Sequence, residues 1–172
     1  MSNILFRYKK NKPVTLASDL GFRIAEAQSE IANLKSEITM TSTVTYNGDL
    51  RTTCTHLASG NQIVTDAPVD NQGRGEAFSP TDLVATALGT CMMTIMGIKA
   101  RDMGLDIAGT KIDVNKIMAA NPRRIARVEV TFTMPENTFS QKDRDLLEAA
   151  ALACPVCKSL DVACEQAVTF VW

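Results

Sequence analysis

The chain is expected to be an α+β protein, with antiparallel sheets packed around a long buried central helix. Three observations lead there. Its elements read in the order β-β-β-α-β-β-α-α-β, most strands follow one another through short hairpin turns, and one long segment, from Pro80 to about Met103, is apolar on nearly every face. A length of 172 residues leaves room for one ordinary domain plus a short appendage, and such a domain buries a core without covalent staples.

The elements follow from local pattern. Between Ser18-Asp19, a helix-capping pair, and Ile38, the residues Ile24, Ala27, Ile31, Leu34 and Ile38 recur at 3-4-3-4 spacing. This is a narrow amphipathic seam, too short to stand alone as a coiled coil. Residues 1–39 therefore read as an N-terminal extension that either docks through its helix or frays, and 40–172 as the domain proper. Thr41 to Tyr46 alternates and is β-branched, Asn47-Gly48 is a turn signal, and Leu50 to Leu57 continues as a strand. Ser59-Gly60-Asn61 marks a second hairpin into Gln62 to Thr65, followed by a long polar loop, Asp66 to Phe78, with Gly73-Arg74-Gly75-Glu76.

Ser79-Pro80-Thr81-Asp82 is a helix start, with serine as cap, proline in the first turn and an acid three residues on; Gly104 suits the far end. Strands at Thr110 to Met118 and Ile125 to Thr133 are joined through Asn121-Pro122, and Ser140 caps a helix running to about Ala153. Cys154-Pro155 opens a further short helix, and Val168, Phe170 and Trp172 share one face of a closing strand.

Composition narrows the chemistry. Apolar residues at 45%, charged at 22% and aromatics at 5% exclude a disordered or collagen-like chain, and no apolar run is read as a membrane span. A formal charge of −1 offers no broad basic surface for nucleic acid. Five cysteines at spacings of 37, 63, 3 and 7 do not form a secreted disulfide framework, and Ile4-Leu5-Phe6 is too short for a signal peptide, so a reducing, cytoplasmic setting is expected. With one histidine and eight methionines besides, sulfur is the chemistry to follow.

Cys91, in Ala87-Leu88-Gly89-Thr90-Cys91, reads either as a small core residue or as a working thiol. Gly89-Thr90 is a poor helix interior; a helix restarting there would set Cys91 near an N-terminus, where N–H groups favour a thiolate. Cys154-Pro155-Val156-Cys157 is a redox pair, half of a zinc site with Cys54 and His56, or a coincidence of spacing. His56 lacks a neighbouring nucleophile, and Gly73-Arg74-Gly75 lacks the Lys-Ser/Thr of a phosphate loop.

Taken in order, Gly73-Arg74-Gly75, Ser79-Pro80-Thr81-Asp82-Leu83, Ala87-Leu88-Gly89-Thr90-Cys91 and Ala153-Cys154-Pro155-Val156 resemble the OsmC/Ohr family, the osmotically inducible and organic hydroperoxide resistance proteins. The resemblance runs from about Met40 to Trp172. It implies an intertwined homodimer with two active sites between subunits, and a peroxidase that reduces organic hydroperoxides in oxidative stress defence. In those roles Cys91 is the peroxidatic cysteine, Cys154 resolves it, and an external dithiol restores both; no cofactor or metal is implied. The family holds its thiolate with an arginine from the early strands, matched in position by Arg51, and orients it with a carboxylate at the helix start. Here Thr81 stands where the family's best characterised members carry glutamate, so either Asp82 or Glu76 substitutes or the arginine is oriented differently, and retention of activity turns on that exchange. Cys157, where a serine is usual, offers Cys154 a second disulfide partner. Two other readings compete: a zinc-stabilised module using Cys154 and Cys157, and a non-catalytic dimer that binds a small apolar ligand.

Overall fold

The computed structural model describes residues 23–24, 40–136, 138–160 and 162–172, so the expected seam from Ser18 to Ile38 lies outside the described residues except for a helical, exposed Arg23-Ile24. The chain divides into two compact units, residues 1–43 with 56–61, and residues 44–55 with 62–172. In the first, the bend His56–Asn61 is closed by His56 N–H to the Asn61 carbonyl and Gly60 N–H to the His56 carbonyl, both 2.8 Å.

The second unit carries most of the first sheet, all of the second, and every helix from Pro80 onward. Strands β1 (Ser42–Gly48), β2 (Arg51–His56) and β3 (Gln62–Asp66) form one sheet in that order, with β2 and β3 antiparallel and Arg51 directly opposite Asp66. The first turn lies two residues beyond Asn47-Gly48: Asp49 (φ 49°) and Leu50 (φ 61°) are both left-handed, the pattern that matches the twist of a hairpin. Asn47 is instead committed through its side chain, which donates to Thr53 Oγ1 at 2.8 Å. Between β3 and the central helix a 3-10 turn, Val69–Asn71, folds the loop back on itself. Gly73 is obligatory there, because a β-carbon would coincide with the Ala67 carbonyl oxygen.

Helix α1 (Pro80–Asp102) opens with a reciprocal cap. Asp82 N–H donates to Ser79 Oγ (3.2 Å), while Ser79 N–H donates to Asp82 Oδ2 (2.8 Å). It ends at Gly104 (φ 69°), where Leu105 N–H reaches back to the Ala100 carbonyl. The structure corrects two expectations about this helix. At 23 residues it is long and apolar enough to cross a membrane, contrary to the expectation that no apolar run reaches that length. Yet it is the core helix: Leu88, Met92 and Met96 are fully buried, each worth about 1.5–3 kcal/mol against exposure. Burial is also confined to one stripe, since the sheet and the other helices cover only part of its surface; Val84 and Ile98 stay exposed.

Strands β4 (Lys111–Ala120), β5 (Arg123–Thr133) and β6 (Glu165–Val171) form the second sheet, in that order. Val128, Val130 and Phe132 of β5 are fully buried, and Phe132 stacks on Phe170 at 5.0 Å. The α+β class stands, with one departure from purely antiparallel pairing: β6 runs parallel to β5. The chain between them holds α2 (Gln141–Leu152) and α3 (Pro155–Ser159), and a helical crossover of that length is what returns a strand in the same direction. Leu147 and Ala151 of α2 complete the core.

Candidate functional site

Three of the five cysteines gather where α1 meets α3. Cys91 lies at the middle of α1, half-buried and packed against the core. Helix α1 is continuous through Gly89 and Thr90, which overturns the expectation that Cys91 lies near a helix start. Gly89 has a packing role instead: a β-carbon there would sit 3.0 Å from Val114 Cγ2 and 3.4 Å from Ile112 Cγ2, so its absence lets β4 close on the helix. Thr90 spends its hydroxyl on the carbonyls of Thr86 and Ala87.

Cys154 is fully buried and is the residue that caps α3, with Pro155 in the first turn. Its Sγ accepts the Cys157 N–H at 3.2 Å and lies within hydrogen-bonding reach of the Cys91 thiol. Burial pushes the Cys154 thiol above the ordinary cysteine range; the hydrogen bond and charge of Cys91, and the charge of Cys157, push the same way against the Cys157 N–H. Cys154 therefore keeps its proton near neutral pH and can offer it to the Cys91 sulfur. Cys157 is half-buried beside them, while Cys54 lies on β2 opposite Ile63.

Arg51, at the start of β2, pairs with Glu76 at 2.7 Å. The question the sequence left open, Asp82 or Glu76, is thus resolved in geometry: Glu76 holds the arginine. Asp82 is used by the helix cap and by Lys116, whose Nζ is 2.7 Å from Asp82 Oδ1 and also donates to Thr81 Oγ1 at 2.7 Å. Burial tends to raise the Asp82 carboxyl, but hydrogen bonds from Lys116 and Ser79 and the charge of Lys116 hold it below the usual range. Among the described residues Arg51 makes no hydrogen bond or ion pair with Cys91 or Cys154.

Sequence reasoning missed Asp66. It is fully buried across the ladder from Arg51, and its Oδ2 accepts the Glu76 N–H at 3.0 Å. That hydrogen bond, then the Arg74 N–H, the Arg51 charge and the Ala67 N–H, outweigh burial and hold the carboxyl below its ordinary value. Asp66 thereby fixes the backbone that presents Glu76 to Arg51. Nothing local in Thr65-Asp66-Ala67 marks this role, because the partner is ten residues away.

For the zinc reading, no group of three or more His, Cys, Asp or Glu side chains suited to a metal ion is assembled among the described residues. Separately, a mostly apolar cleft of ≈ 300 Å³, lined among others by Tyr46, Leu50, Pro68, Pro80 and Met118, opens beside the start of α1.

A half-buried cysteine on the central helix, met by a second thiol from a Cys-Pro turn, on two small sheets and one long helix, defines an OsmC-like protein. The family model described as OsmC-like protein matches residues 73–168, and the chain belongs to that family. A crystal structure from Psychrobacter arcticus, described as that of an osmotic stress induced and detoxification response protein, is similar at 54% identity and TM-score 0.74 over 77% of this chain and 96% of that one. An organic hydroperoxide resistance protein OsmC from Legionella pneumophila shares the fold at 14% identity and TM-score 0.60, covering 78% and 99% of the two chains. So does an organic hydroperoxide resistance protein from Vibrio cholerae with captopril bound in one of its active sites, at 14% identity and TM-score 0.61, covering 77% and 92%. No curated protein matches the chain.

Proposed function

We propose that the protein is a thiol-dependent peroxidase that reduces organic hydroperoxides in oxidative stress defence. The observation that carries this is the meeting of Cys91 and Cys154, drawn from elements 63 residues apart. The Cys91 thiolate attacks the distal peroxide oxygen, the O–O bond breaks, and the alkoxide leaves and takes up a proton as an alcohol. Cys91 is then a sulfenic acid. The Cys154 thiol attacks that sulfur; its proton and the departing hydroxide leave as water, and a Cys91–Cys154 disulfide remains. An external dithiol returns two electrons and two protons.

Arg51, oriented by Glu76, would hold the peroxide in an assembled homodimer. A homodimer is part of this reading because Val44, Tyr46, Ile63 and Val64 of the first sheet and Val84 and Ile98 of α1 are exposed apolar residues with surface to cover. A cytoplasmic setting, with reduced thiols, belongs to the same reading, as does a domain spanning residues 40–172. The names of the similar structures, detoxification response and organic hydroperoxide resistance, agree with the substrate class.

The test is consumption of cumene hydroperoxide in the presence of dithiothreitol. Cys91→Ser should abolish it, and Cys154→Ser should stall at a sulfenic acid trapped by dimedone. A Cys91→Ser protein that consumes peroxide at the wild-type rate overturns the mechanism. The cleft beside α1 supports a second reading, a module that binds a small apolar ligand. Saturable binding that survives Cys91→Ser and is lost with Met118→Asp would favour it.

A further inference from the structure

The peroxidase cycle uses two thiols, yet a third stands in contact with one of them. Cys157 follows Cys154 by three residues across the first turn of α3, and its N–H donates to Cys154 Sγ at 3.2 Å. Residues three apart on a helix have α-carbons about 5 Å apart, inside the range a disulfide bridges. Cys154 thus has a sulfur neighbour on each side, Cys91 from α1 and Cys157 from its own turn.

Exposure separates the middle of this row from its ends. Cys154 has no accessible surface, whereas Cys91 and Cys157 are both half-buried. A disulfide confined to Cys91 and Cys154 leaves an incoming dithiol with Cys91 as its one point of attack, in the place where peroxide must bind. A disulfide moved to Cys157 is open to attack away from Cys91.

We propose that Cys157 is a relay thiol, which takes over the disulfide from Cys91 and presents it to the reductant. The step rests on the peroxidase reading for its first disulfide and needs no further oxidant. The Cys157 thiolate attacks Cys154 Sγ, the bond to Cys91 breaks, and Cys91 leaves as a thiolate, so that one S–S bond forms as one is lost and no electrons are exchanged with solvent. The proton given up by Cys157 is balanced by that available to Cys91. The external dithiol then attacks Cys157 Sγ, releases Cys154, and closes its own disulfide as Cys157 departs. Cys91 is thereby free for a second peroxide before the reductant arrives.

The location of the disulfide tests this directly. Reduced protein is treated with one equivalent of cumene hydroperoxide, quenched in acid, alkylated and digested with trypsin. Cys91 falls in peptide Gly75–Lys99, whereas Cys154 and Cys157 share peptide Asp145–Lys158. Wild type should end with Cys91 alkylated and the second peptide internally bridged, about 2 Da lighter than its reduced, unalkylated form. Cys157→Ser should end with the two peptides cross-linked and with reductant-limited turnover about tenfold slower. A wild-type protein that ends cross-linked through Cys91, turning over no faster than Cys157→Ser, overturns the relay. If peroxide leaves every thiol open to alkylation, it is the peroxidase reading that fails. Diamide oxidation then decides the relay alone: an internal bridge in wild type sustains it, and a Cys91–Cys154 cross-link ends it.

Discussion

Gly89 gives a quantitative test of how closely α1 approaches β4. Alanine at this site gains about 1 kcal/mol of helix propensity. Its β-carbon would stand 3.0 Å from Val114 Cγ2, inside the 3.5–4.0 Å or so of ordinary carbon contact. Val114 is half-buried and able to yield a few tenths of an ångström, which places the strain near the low end of overpacking, about 1 kcal/mol. The two effects nearly cancel, so Gly89→Ala should lie within about 1 kcal/mol of wild type. Valine adds two further carbons with stiff torsions, raising the overpacking to about 2–3 kcal/mol with less propensity gained, for a net loss of about 2 kcal/mol. For a chain of this size that lowers Tm by about 4–8 °C, readable by calorimetry or far-UV circular dichroism. Pairing Gly89→Val with Val114→Ala should recover about 1 kcal/mol or more beyond additivity. A Gly89→Val protein melting with wild type, or a strictly additive pair, would refute the close approach. Gly89→Ala should also leave the rate of Cys91 alkylation unchanged, because the helix is already continuous.

The two acidic candidates near the helix start should separate by experiment. Glu76→Gln breaks an ion pair whose members are 28% and 57% exposed, so it should cost less than about 1 kcal/mol of stability. It should slow hydroperoxide reduction by about 10- to 100-fold through misplacement of Arg51; a kcat/KM unchanged by both Glu76→Gln and Arg51→Ala removes the arginine from the reaction. Asp82→Ala should do the reverse, costing about 1 kcal/mol or more of helix capping with Arg51 still held, checked by urea unfolding beside the peroxidase assay. Asp66 governs acid stability: its folded-state carboxyl lies below the unfolded value of about 3.9, so its contribution is present above that pH and is lost as pH falls through the folded value. The wild-type urea midpoint should therefore drop more steeply below about pH 4 than that of Asp66→Asn, and parallel profiles would contradict the assignment.

Most elements were legible because their signals are local. Ser79 and Asp82, like Ser140 and Asp143, are reciprocal caps in the structure as their three-residue spacing indicates. That same signal could have answered the carboxylate question, since an acid engaged in a capping box is not free to orient a distant arginine. What stayed illegible depends on long-range partners. Gly89-Thr90 looks like a weak point by propensity, yet tertiary packing against Val114 turns the glycine into a contact requirement. The parallel pairing of β6 depends on how α2 and α3 carry the chain back, and Asp66 on a backbone N–H that a loop brings round. The meeting of Cys91 with Cys154 came from the family resemblance, not from spacing; sequence proximity linked only Cys154 and Cys157.

The hairpin turn at Asp49-Leu50 has a bearing on Arg51 that is arithmetical. Leucine in a left-handed conformation costs about 1–2 kcal/mol relative to a right-handed one, and here it is kept one residue before the arginine. Side chains alternate between the faces of a strand, so the number of residues in the turn sets the parity of β1 against β2. One residue more or one fewer would turn every side chain of β1 to the other face relative to Arg51, whose own place opposite Asp66 is set by the pairing of β2 with β3. Loop length, as much as residue identity, decides which side chains of β1 share a face with the arginine.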